Sequence, residues 1–271
     1  MTGTLSQLLS LITYGNQYLK NLELPKNYYP ENVAFKFCNQ VNFIDLQTVE
    51  GGKHLEQLWA AEPLAWFERL KLDGCLRLMA YYHPSEGNEQ GTPDHKLAGF
   101  IGGGGTWLIE AVYEGYSDFW AERWEVSRPD DPDQLIWAVS YGRTISGSDT
   151  IAFSPDHLQA TEDLREILLD IRDFAGSHDL ESWTGVFDRS LSILDGSEQN
   201  NWYAGTISES AYPKSALKLI YAAMSAHVFG GMGSWNDLGF EKKEVQDDYD
   251  DLSYHLYDRI NRALLSGVNV G

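Results

Sequence analysis

The spacing of apolar residues changes twice along this chain. At the start, Leu5, Leu8, Leu9, Ile12 and Leu19 recur at helical intervals and predict a helix over residues 4–21 with one buried face. Pro25 and Pro30 end it. Residues 34–37 and 41–46 read as short strands. Over residues 54–72, Leu55, Leu58, Trp59, Trp66, Phe67 and Leu70 share one broad helical face, so a helix is expected there, kinked or divided at Pro63.

From residue 75 the pattern becomes β-like. CLRLMAYY at 75–82, residues 97–101, TWLIEAVY at 106–113, YSDFWAERWEV at 116–126 and residues 134–145 are strand-prone. The polar stretch 83–95 reads as a loop. RPDDPD at 128–133 joins two β-prone runs and predicts a hairpin, because Pro presets the turn dihedral and Asp bonds its own backbone. Five or six antiparallel strands are expected. After Gly147 the spacing is helical again. Ser154-Pro155-Asp156 is a helix start, with a capping hydroxyl, Pro at the first helical position and an acid at the positive end. That helix should reach about residue 174, with others from Asp179, over 213–229 and over 249–265. The fold class is therefore α+β: an antiparallel sheet at about 75–145, flanked by N-terminal helices and a mostly helical C-terminal half. Residues 1–147 form the α+β region, and 148–271 a mostly helical region packed on the sheet as one unit.

Charge narrows the function. Among 271 residues, 40 are Asp or Glu and 20 are Lys or Arg, a formal net charge of -20. The excess is spread over both halves. Phosphate backbones and anionic membranes both demand basic clusters, so nucleic-acid and membrane partners are not expected. A hydrophobic share of 43% still favours a folded core. Cys38 and Cys75 are too few and too far apart for a disulfide framework or thiolate metal site. No basic residue precedes Lys20, so the start does not read as a secretory signal, and a cytoplasmic location is expected.

Three segments carry candidate chemistry. As a strand, 116–126 puts Tyr116, Asp118, Trp120, Glu122 and Trp124 on one face, suited to stacking a sugar or anchoring a protein partner. As a helix, it would group Tyr116, Phe119, Trp120, Arg123 and Trp124 instead. The plainer reading makes the Trp rings core and pairs the acids with Lys or Arg. Asp118 and Glu122 on one strand lie roughly 13 Å apart, beyond a glycosidase pair. Glu110 interrupts an apolar strand between Leu108 and Val112, where burial raises a carboxyl pKa and fits a general acid. Paired with Asp118 or Glu122 it would form a catalytic dyad; alternatively its face is exposed, or it pairs with Arg143. In HVFGGMGSWND at 227–237, Trp235 and Asp237 are binding candidates, and His227 with Asp237 an acid–base pair; the plain alternative is a packed helix end and loop. The glycine run 102–105 lacks the Lys and following helix of a phosphate loop and reads as a turn or bulge. No His, Cys or Asp spacing matches a metal site, and no cofactor is implied.

The blocks TWLIEAVYEGYSDFW and HVFGGMGSWND, with the closing YHLYDRINRALLSGVN, resemble uncharacterised bacterial proteins of the immunity or accessory type. That resemblance implies a binding protein and brings no catalytic residues. Three readings follow: a non-enzymatic, immunity- or inhibitor-like binder of a basic protein, a hydrolase with a carboxylate pair acting on a sugar or amide, and a homo-oligomer assembled through aromatic surfaces.

Overall fold

The computed structural model describes residues 1–49, 53–85, 91–151, 156–199 and 202–270, with backbone alone at 48, 49, 53 and 54. Helix α1 (Gly3–Leu19) opens the chain, its first turn capped by the Thr2 side chain. Strands β1 (Cys38–Val49) and β2 (Lys53–Ala60), helix α2 (Pro63–Leu72) and strand β3 (Arg77–His83) follow. A single helical turn, α3 (Asp94–Leu97), precedes β4 (Thr106–Val112), β5 (Ser117–Val126) and β6 (Trp137–Ser148). The second half holds α4 (His157–Ser177), α5 (Glu181–Asp195), α6 (Lys214–Ala226) and α7 (Lys243–Val268).

The six strands form one sheet in the order β2-β1-β6-β5-β4-β3. All neighbours are antiparallel except β1 and β6, which run parallel with Phe43 beside Tyr141. The α+β class thus stands, with the sheet reaching back to residue 38 and mixed at one pairing.

Several expected elements differ. Residues 54–60 are the edge strand β2. Leu55 and Leu58, counted toward a helix face, are 55% and 58% exposed, so no helix face was there to bury. Pro63 sits in the first turn of α2, where its missing N–H leaves no bond unmade. Residues 34–37 begin in a 3-10 turn, Val33–Phe35, capped by Asn32. Residues 97–101 leave α3 as turns and add no strand. The start of α4 is capped by Asp156, which accepts from the N–H groups of Leu158 and Gln159; Ser154 and Pro155 lie outside the described residues.

The helix-facing side of the sheet carries Val41, Phe43, Leu78, Ala80, Ile109, Ala111, Trp120, Val139 and Tyr141, packed against Leu8, Leu9 and Ile12 of α1 and Trp66, Phe67 and Leu70 of α2. Phe43 stacks on Trp66 at 4.2 Å, and Trp120 meets both edge-on. In the second half α4, α5, α6 and α7 pack neighbour to neighbour in a ring, α7 closing on α4. Trp235, on the link between α6 and α7, fills it against Trp183, Phe187 and Tyr249. One continuous core joins sheet and helices.

The free edge of β3 is closed by two asparagines. Asn16 of α1 accepts from the Leu78 N–H at 2.7 Å and donates to the Leu78 carbonyl at 2.9 Å. Asn269, just past α7, does the same at Ala80, at 2.7 and 2.9 Å. Each side-chain amide stands where the peptide group of another strand would.

Candidate functional site

A cleft lies beyond the end of β3, between the start of α4 and the middle of α7. It encloses about 770 Å³, the size of a ligand pocket. Tyr82, Tyr254 and Tyr257 supply aromatic walls; Asp94, Asp156, Asp163, Asp258 and Arg262 supply its charges; His95 and Asn261 also line it.

Local structure sets these walls. Tyr254, Tyr257, Asp258, Asn261 and Arg262 recur on one face of α7 at three- and four-residue spacing. Tyr82 and Tyr257 are held by the glycine run: both hydroxyls donate to the Gly104 carbonyl, at 3.3 and 2.6 Å. A Cβ on Gly105 would stand 2.6 Å from the Tyr82 ring, and one on Gly104 2.7 Å from the Tyr257 hydroxyl; both glycines have φ above +80°. The run is therefore a turn, as its composition implies, whose bareness lets two tyrosines close in. It joins α3 to β4 instead of two strands.

The charged groups of the cleft are already engaged. Asp94 accepts from the Tyr82 hydroxyl at 3.2 Å and from Ser85. Asp156 caps α4. Asp163 accepts from Gln159 at 2.7 Å and lies 3.6 Å from Arg259. Asp258 pairs with Arg262 at 2.9 Å. The groups left over are neutral. Asn261 is 2% exposed with its amide against the Tyr257 hydroxyl, a contact too poorly aligned for a regular hydrogen bond, and no other partner meets it among the described residues. His95, equally buried, has both ring nitrogens unbonded among the described residues. Burial, aided by the neighbouring Lys96, holds its pKa down to about 4, so the ring is neutral at physiological pH.

The residues singled out from sequence are spread elsewhere. Segment 116–126 is the strand β5. On it Trp120 is fully buried in the sheet core, and Trp235 is fully buried in the helical half, its indole N–H donating to Ser253 at 2.7 Å. Tyr116 is exposed and stacks on Tyr113 with ring centres 4.7 Å apart. Trp124 is half-buried and donates to Glu122 at 2.9 Å. Asp237 accepts from the Gly233 N–H in its own loop, and the His227 ring packs edge-on against Phe229 and Tyr257.

Nor do the three carboxylates converge. Glu110 stands directly opposite Phe119, and Asp118 opposite Ala111, so Glu110 and Asp118 point to opposite faces of the sheet. Glu110 is buried and accepts from the Ile151 N–H at 3.2 Å. Arg143 engages Asp118 at 3.0 Å and Asp45 at 2.9 Å, over the Trp59 and Trp120 rings. Glu122 shares a small cavity of about 50 Å³ with His227, Tyr257 and the glycine run. Burial pushes its pKa up to about 7, against the opposing Trp124 hydrogen bond.

The cleft residues escaped the sequence reading because each is ordinary alone. One signal was present: Asn261 falls among Ile260, Ala263 and Leu264 of the last helix, a polar residue at a core position. Comparison with protein-family models, with curated proteins and with solved structures finds no match to this chain.

Proposed function

We propose that this protein binds a basic protein partner, in the manner of an immunity factor or inhibitor, and that the cleft between α4 and α7 receives part of it. The observation that carries this reading is the make-up of the cleft. Four aspartates and three tyrosines face a single lining arginine, in a chain whose acidic side chains number twice its basic ones. An acidic field speeds the approach of a cationic surface and turns away anionic ones. Tyrosine faces then hold Lys or Arg side chains close to the carboxylates. Tyr116, exposed at the β4–β5 turn, and Asp237 are outlying contact candidates of the same chemistry.

The test is fluorescence anisotropy with a labelled octapeptide of alternating Lys and Thr. Affinity should fall steeply as salt rises from about 20 to 300 mM. Asp258→Asn should weaken binding about twofold to fivefold, and Arg262→Gln should strengthen it by a similar factor. The reading is lost if the peptide fails to bind at the lowest salt, or binds indifferently to salt and to both substitutions.

A further inference from the structure

We infer that the cleft takes its partner as an extended peptide, laid along the last open stretch of the β3 edge at Tyr82 and read by the Asn261 amide. This rests on the binding reading above and specifies the form of the occupant.

The β3 edge supplies the first argument. Along an edge strand, every second residue turns its N–H and C=O away from the sheet. At Leu78 and Ala80 those outward groups are taken by Asn16 and Asn269. The next outward pair in the alternation belongs to Tyr82, where the strand runs into the cleft. No asparagine meets it among the described residues.

Asn261 supplies the second. It has the same side chain as the two closing asparagines and lies about two turns before Asn269 along α7. Asn16 and Asn269 use both ends of their amides on a strand backbone. Asn261 lines the cleft, buried, and among the described residues its amide meets only the Tyr257 hydroxyl, without a regular hydrogen bond at either end. A buried amide in that state leaves hydrogen-bonding capacity unmet, so a ligand that supplies the partners is favoured.

The third argument is the division of chemistry in the cleft. Its charges are engaged with one another, with backbone or with neighbouring hydroxyl and amide groups, whereas Asn261 and His95, which make no regular hydrogen bond among the described residues, are neutral and each offers a donor and an acceptor. The floor formed by Asn261 and His95 carries no charge of its own, so it does not select a lone ion. A peptide group matches it, and cationic side chains of the same segment match the aspartate rim.

Strand addition is directional, so it can be tested by register. Two further versions of the Lys–Thr octapeptide carry N-methyl groups on alternate residues, one version on the odd positions and one on the even. With wild-type protein, one pattern should lower affinity about tenfold or more and the other about twofold or less, because only one set of N–H groups faces the edge. Asn261→Leu should cost about tenfold with an unchanged salt slope, since no charge is lost. Equal effects of the two methylation patterns, or full affinity in Asn261→Leu, would overturn the extended-strand inference while leaving salt-dependent binding in place. The second result would assign the Asn261 amide to trapped water. Loss of all binding at low salt would overturn both readings together. The methylation arm needs no substituted protein, so misfolding of Asn261→Leu does not blunt it.

Discussion

Asn16 shows how much one polar side chain can carry. Its amide bonds the backbone of Leu78 in both directions and donates to the Tyr212 hydroxyl at 3.0 Å, all out of contact with water. Asn16→Leu keeps the branching at Cγ but strands those partners and adds bulk, so it should lower stability by about 2–5 kcal/mol in urea denaturation. Trp120→Ala should cost about 3–5 kcal/mol, as expected of a ring enclosed by Phe43, Trp59 and Trp66. Glu122 gives a signature in pH. Its acid form is favoured in the fold, so its contribution is complete below its ordinary value of 4.5 and is lost as pH rises to about 7. His95, held to about 4, works the other way: its contribution is present above 6.5 and is lost as pH falls. Comparing Glu122→Gln with wild type cancels the histidine part. The two Tm values should coincide near pH 4.5, and the variant should melt higher at about pH 8.

At the scale of elements, helices with a single buried stripe were readable from spacing. Those of the first nineteen residues and of the C-terminal half match it to within a few positions, α7 excepted. That helix begins at Lys243, earlier than its apolar stripe, because its first turns are polar and exposed. β2 was misread because Leu55, Leu58 and Trp59 fit a helical stripe, and spacing cannot report that two of the three face solvent. Strand order was beyond reach for a different reason. The parallel pairing of β1 with β6 joins residues about a hundred apart and leaves no local mark. The carboxylate arrangement was hidden by the same non-local register, which decides that Glu110 and Asp118 part across the sheet. Helix starts are the most local feature, and Asp156 is the clearest. Asp156→Ala should cost about 1 kcal/mol and fray the first turn of α4, visible as faster amide exchange at Leu158 and Gln159.

Across the whole molecule, sheet and helical ring share one core, with α7 resting on β3 and Asn269 bonded into it. Neither half can shed the other without baring apolar surface. Melting should therefore give one transition, coincident for near-ultraviolet and far-ultraviolet circular dichroism; separate midpoints would mean that the halves unfold independently. The stoppered margin of β3 has a last consequence for crowded solution. A sheet open along both margins can recruit neighbours without limit and grow into a filament. Here, among the described residues, β3 is stoppered at Leu78 and Ala80 and leaves no more than the short stretch at Tyr82, whereas the β2 margin is long, with Leu55 and Leu58 bare upon it. Lateral zippering through one long margin is spent once two molecules meet, so this route favours pairs over a fibre.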